Sequence, residues 1–159
     1  MAGQPSKTVL GVRTAPQQVR YAVVERSGDI FRLLNRSSEN LIPRPAGFND
    51  TDLAGLLGWI HEEMERILRQ NPAISIVSVK VAEFANTNTG AYRLGNYLDA
   101  AVLLAATNSQ IPAFTRLYNQ IGTRRADVKR HSEQRVTRTD DVWNEQMADA
   151  IAVAWAALQ

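Results

Sequence analysis

The chain has 159 residues, a formal net charge of +2, 45% apolar and 21% charged residues, and no cysteine. That length suits one domain with a true core, and the balance excludes a disordered chain. The lack of cysteine excludes disulfides and thiolate metal sites, and no apolar run approaches the roughly 20 residues that cross a bilayer, so a cytoplasmic protein is expected.

Residues 1–7 are polar, lack the apolar stretch of a secretory signal and are expected to be flexible. Strand-like runs follow at 8–14, 19–25 and 30–35, the last two joined by a Ser27-Gly28-Asp29 hairpin turn. Pro43, Pro45 and Gly47 then break the pattern, which predicts an antiparallel three-stranded meander. Leu53, Leu56, Leu57, Ile60, Met64, Ile67 and Leu68 recur at three- and four-residue steps, as on an amphipathic helix. Asn49 or Asp50 is expected to cap it, and Asn71-Pro72 to end it.

The β-branched run 74–82 predicts a strand buried on both faces. A polar loop over 85–90 leads into a second helix reaching about Thr107, with Leu94, Leu98, Ala101, Val102 and Ala105 aligned. Residues 111–118 are a further strand candidate, weakened by Pro112. A basic segment, read as a polar helix or ordered loop, precedes an Ala-rich helix over 143–158. The order predicts a single α/β domain over 1–159: a mixed five-stranded sheet, its first three strands antiparallel, with helices on both faces.

Charge is unevenly spread. Arg124, Arg125, Lys129, Arg130, Arg135 and Arg138 cluster against only Asp127 and Glu133. Such a face is the footprint of a phosphate-contacting surface, and equally of a solvated basic helix. There is no GxxxxGK[ST] phosphate loop, GxGxxG turn or GxSxG elbow, which argues against kinase-like and dehydrogenase-like functions. Trp59, Trp143 and Trp155 are expected to pack rather than to stack on bases. His61 and His131 are the only imidazoles, so any metal would be a hard ion on carboxylates, Mg²⁺ or Mn²⁺.

Three acids stand out. Glu83 lies just past the carboxyl end of the most apolar strand, the edge where open α/β sheets bind ligands. Glu145 and Asp149 are four apart, hence on one helix face, although acids near a helix start also serve its dipole.

Order and context add to this. Leu10-Gly11-Val12-Arg13-Thr14-Ala15 is followed by Arg20-Tyr21-Ala22-Val23-Val24-Glu25, then Val79-Lys80-Val81-Ala82-Glu83-Phe84. Next come Asn86-Thr87-Asn88-Thr89-Gly90-Ala91-Tyr92-Arg93-Leu94-Gly95 and finally Ala148-Asp149-Ala150-Ile151-Ala152-Val153-Ala154. Over nearly its whole length this series resembles the RuvC-type Holliday junction resolvases of the RNase H-like superfamily. In that family the first strand carries an Asp, the apolar strand ends in a catalytic Glu, and acids lead into the last helix.

The resemblance implies two divalent ions held by four acidic or equivalent groups, which activate water and stabilise the leaving oxygen. Glu83 and Asp149 match as catalytic and metal-binding positions, with Glu145 as a displaced substitute. Arg13 stands at the bridging Asp and Gln146 at the acid three residues before Asp149, so the site is expected to be degenerate, Arg13 pairing with Glu83 or Asp149. The expected function is then nucleic-acid binding, or an interaction or regulatory role, by a pseudo-nuclease. The alternative is an active Mg²⁺- or Mn²⁺-dependent structure-specific endonuclease using Glu83, Glu145, Asp149 and Asp140 or Asp141. Partners are branched or single-stranded DNA, or a protein. Lys80, Arg93, Arg124, Arg125, Lys129, Arg130 and Arg135 are the nucleic-acid-contacting candidates, a homodimer is expected, and no catalytic role is carried over to His131.

Overall fold

Side-chain alternation along the strand Gln18–Ser27 (β2) decides the layering. Val19, Tyr21 and Val23 face one core, while Ala22 and Val24 face another. The computed structural model describes residues 3–49 and 51–159. Before β2 comes Lys7–Thr14 (β1), and after it Ile30–Leu33 (β3), Leu41–Pro43 (β4), Leu53–Gln70 (α1), Ile74–Lys80 (β5) and Gly90–Asn108 (α2). Ala113–Arg116 (β6), Tyr118–Ile121 (α3), a 3₁₀ turn at Arg125–Asp127, Val128–Arg135 (α4) and Glu145–Ala156 (α5) complete it.

The sheet runs β3-β2-β1-β5-β6, with β4 also pairing with β2. β1, β2 and β3 form the antiparallel meander, whereas β5 is parallel to both β1 and β6. Among the described residues it has six strands, one short strand more than the pattern suggested. The extra one arises at buried Asn35, whose side chain donates to Tyr21 O and Glu39 O, both at 3.0 Å, and accepts from Val23 N at 2.9 Å. These bonds replace ladder bonds, so β3 stops at Leu33 and the chain rejoins β2 at Leu41.

Leu10, Val12, Val77 and Val79 pack under α1 and α2, while Val9, Ala22 and Val24 pack on α5. The fold is thus mixed α/β, with helices on both faces. At Gly11, β1 lies so close to α5 that an added Cβ would collide with the Ala150 carbonyl oxygen and come within 2.8 Å of Ala154 Cβ. Only glycine allows that approach.

Several boundaries move for local reasons. Lys7 already pairs with Arg26, so the polar start is ordered by that point, and residues 1 and 2 lie outside the described residues. Asp50 is also outside them. Asp52 caps α1, its carboxylate accepting from Gly55 N at 3.0 Å, while Asn49 accepts from Thr51 N and Asp52 N. The strand candidate at 111–118 shortens because Tyr118 begins α3. α5 starts at Glu145 because Asn144 accepts from Met147 N at 2.9 Å.

Candidate functional site

β1, β5 and β6 run the same way, so their carboxyl ends meet at one edge, and α5 brings Asp149 beneath it. Asp149 is 1% exposed. Tyr118 Oη donates to its Oδ1 at 2.7 Å, and Arg13 Nε stands 3.1 Å from its Oδ2. The latter is an ion pair lying off the line of a true hydrogen bond. The Arg13 guanidinium also donates to Lys80 O at 3.4 Å.

Lys80 ends β5 with its side chain 1% exposed. Its ammonium lies 3.1 Å from Glu83 Oε1, donates to Val81 O at 2.5 Å, and sits 3.9 Å from the Tyr118 ring centroid. Glu83 Oε1 accepts from Tyr118 N at 2.8 Å. Tyr118 therefore joins both acids, by its backbone and by its hydroxyl. Below them Thr14 Oγ1 donates to buried Asp99 at 2.5 Å.

The electrostatics follow from burial and these partners. Burial pushes the Asp149 carboxyl up, against the downward pull of the Tyr118 hydroxyl and Arg13. Burial pushes the Lys80 ammonium down, against the support of Glu83. Slight burial would raise Glu83, but the Tyr118 N–H and Lys80 outweigh it and hold that carboxyl below its usual range. Burial lifts Asp99 to about 6 despite its Thr14 bond and the nearby Arg13 and Lys80.

Arg13, Lys80, Glu83 and Asp149 thus come together. Glu83 does so from the loop after β5, with its side chain 47% exposed. Glu145 pairs with Arg125 at 2.8 Å, and Gln146 accepts from Gln18 Nε2 at 2.7 Å. Asp140 bonds Arg36 and Ser37, and Asp141 faces Asn40, so neither joins the acids at the sheet edge. Lys80, expected at the rim of a cleft to meet phosphates, is instead buried with its ammonium already engaged. Arg93, Arg124, Arg125, Lys129, Arg130 and Arg135 are exposed. Trp155 packs edge-on against buried His131.

Sequence reasoning passed over Asp99, Tyr118 and Phe84. Asp99 left a signal, being an acid beside Leu98 on the buried side of an apolar helix. Tyr118 left none, because its role depends on the chain turning at the end of β6. Phe84 is 88% exposed beside Glu83.

Among the described residues no three His, Cys, Asp or Glu side chains gather as a metal ion requires, and none of the helices is long and apolar enough to cross a membrane. Around Asp149, Arg13 pairs with Asp149 and Lys80 with Glu83, while Asp99 is bonded to Thr14, a donor set that does not fit a pair of divalent ions.

No protein-family profile matches the chain, and no curated protein matches its sequence. Solved structures do. Thermus thermophilus RuvC superposes with a TM-score of 0.73 at 20% identity, over 94% of this chain and 92% of that one. T. thermophilus RuvC in complex with a Holliday junction substrate gives 0.74 at 18%, over 94% and 91%. The yeast mitochondrial Holliday junction resolvase Ydc2 gives 0.62 at 12%, over 98% and 79%. Likeness at such identities speaks to architecture, and the chain has the RuvC-like RNase H fold.

Proposed function

We propose that this chain is a RuvC-like nucleic-acid-binding protein that does not cut by the two-metal route, because its own cations close the centre. The observation that carries this reading is the pairing of Arg13 with Asp149 and of Lys80 with Glu83, each at 3.1 Å. The resolvase pattern puts an acid on the first strand and a Glu at the end of the apolar strand. Here Arg13 holds the first position, Lys80 ends the strand, and Glu83 is displaced into the loop. Each such cation would repel a dication by roughly 8 kcal/mol at 4 Å and an effective dielectric of 20, which is twice the unit-charge value.

Binding is supported by the solved neighbours, one of which holds a Holliday junction substrate. It is also supported by the exposed Arg93, Arg124, Arg125, Lys129, Arg130 and Arg135. Exposed Phe84 offers a ring face to an unpaired base, which favours branched or single-stranded DNA.

The test measures anisotropy with a four-way junction, a single strand and a duplex over a salt series, then adds Mg²⁺ or Mn²⁺ and looks for cleavage. Salt-sensitive binding without cleavage is expected. Robust divalent-dependent cleavage, lost in Glu83→Gln, would instead establish a nuclease with a rearranged acidic site. No affinity for any of the three DNAs would leave a protein partner as the better reading.

A further inference from the structure

Next to α3 lies an open pocket of about 620 Å³. Arg124, Arg130 and Arg135 line it, with Asp127 as the single acid. Asp127 accepts from Arg124 Nε at 3.0 Å and Nη2 at 2.8 Å, and from Arg130 Nη2 at 3.1 Å. One carboxylate therefore holds two guanidiniums side by side and leaves most of their N–H donors free. Arg135 is steadied separately, 5.2 Å over the Trp155 ring.

His131 also lines the pocket, is 5% exposed, and neither of its ring nitrogens meets a hydrogen-bond partner in the protein. Burial, then the nearby Arg135, lowers it to about 4. The imidazole is therefore neutral at physiological pH and holds one donor and one acceptor in reserve. Unpaired polar groups at such depth are uncommon and call for a ligand or an ordered water.

We propose that this pocket binds the phosphate of a nucleotide, either a free mononucleotide or the terminal nucleotide of a strand. Paired guanidiniums match phosphate oxygens with bidentate hydrogen bonds, and fixing them before binding lowers the ordering cost. The volume suits one nucleotide. A duplex backbone needs only an open basic surface, whereas a concavity with excess positive charge suits a compact anion. The strand-terminus form rests on the nucleic-acid reading above, and the mononucleotide form does not.

Calorimetry on the full chain would compare deoxyadenosine 5′-monophosphate, deoxyadenosine and inorganic phosphate. Anisotropy would compare one single-stranded oligonucleotide with and without a 5′-phosphate. The monophosphate should bind, deoxyadenosine should not, and inorganic phosphate should bind more weakly than the monophosphate. Arg124→Ala with Arg130→Ala should weaken the monophosphate at least tenfold, while Arg69→Ala on α1 leaves it unchanged. His131→Asn, its fold checked by circular dichroism, should weaken it less.

A 5′-phosphate that tightens the oligonucleotide, with the gain lost in the double variant, supports the strand end as the source. Monophosphate binding with no such gain supports the free nucleotide. Equal affinity for monophosphate and deoxyadenosine, no binding of either monophosphate or phosphorylated strand, or an unaffected double variant would overturn the proposal. An oligonucleotide that binds equally well with and without its phosphate, in a protein blind to the monophosphate, sinks the pocket and spares the nucleic-acid reading. Monophosphate binding by a protein that ignores every oligonucleotide does the reverse.

Discussion

Arg13 on β1 and Asp149 on α5 meet at 3.1 Å, at the edge where the carboxyl ends of β1 and β5 come together. Asp149 is 1% exposed and depends on Arg13 and Tyr118 to offset its lost hydration.

Arg13→Ala should destabilise the fold by about 3 kcal/mol, since it leaves a buried charge short of its counterion. Tyr118→Phe should cost about 1–3 kcal/mol through the lost hydroxyl donor. The double variant should fall short of the sum, because both changes act on one carboxylate. Urea unfolding of the four proteins checks this, and strict additivity would separate the two contacts.

Replacing the cations with acids should create a metal site. Arg13→Asp, Lys80→Glu and Gln146→Asp together bring new carboxylates up to Asp149. Their mutual repulsion should make the metal-free variant less stable than the parent, and Mn²⁺ should raise its Tm. The parent should show no such rise. A parent as strongly stabilised by Mn²⁺ as the variant would mean that Arg13 and Lys80 do not block the centre.

Asp99 gives the fold a pH dependence of definite sign. Its carboxyl ionises at about 6 in the folded protein, against an ordinary value of 3.8. Between those values the native state holds a proton that the unfolded chain has released, so stability falls as pH rises through this window. The loss, roughly 3 kcal/mol, is complete above it. Asp99→Asn keeps an acceptor for Thr14 and removes the buried charge that faces Arg13 and Lys80. It should be more stable than the parent at pH 7.5, by about 1–3 kcal/mol, and gain nothing at pH 3.5. Thermal unfolding at both pH values decides.

Arg93, Arg125 and Lys129 lie outside the cationic pocket and are exposed. Changing all three to Ala should weaken DNA binding without regard to sequence. It should also flatten the dependence of log K on log salt by about two to three. An unchanged slope would remove these residues from the phosphate-contacting surface.

The meander and both long helices were legible because each repeats a period, two along β2 or three to four along α1, and the buried parallel strand because it is a short β-branched apolar run. The short β4 was not, since three residues carry no period and its existence depends on Asn35 bonding three backbone groups. At the site, Arg13, Glu83 and Asp149 were named in advance, whereas the burial of Lys80 was not. Lysine reads as a surface residue until its partners are known, and one of them, Tyr118, reaches it only through the turn after β6.

The contact at Gly11 has a bearing on how the molecule is made. The first strand and the last helix touch backbone against side-chain stub there, with no room for a mediating residue. A ribosome delivers β1 long before α5, so Val9, Ala22 and Val24 emerge without the surface that covers them. Loop closure across nearly the entire chain must precede that burial, which makes docking of α5 a late and slow event. Until then the half-built sheet shows an oily face to its surroundings, and a chaperone that holds this face would bridge the interval.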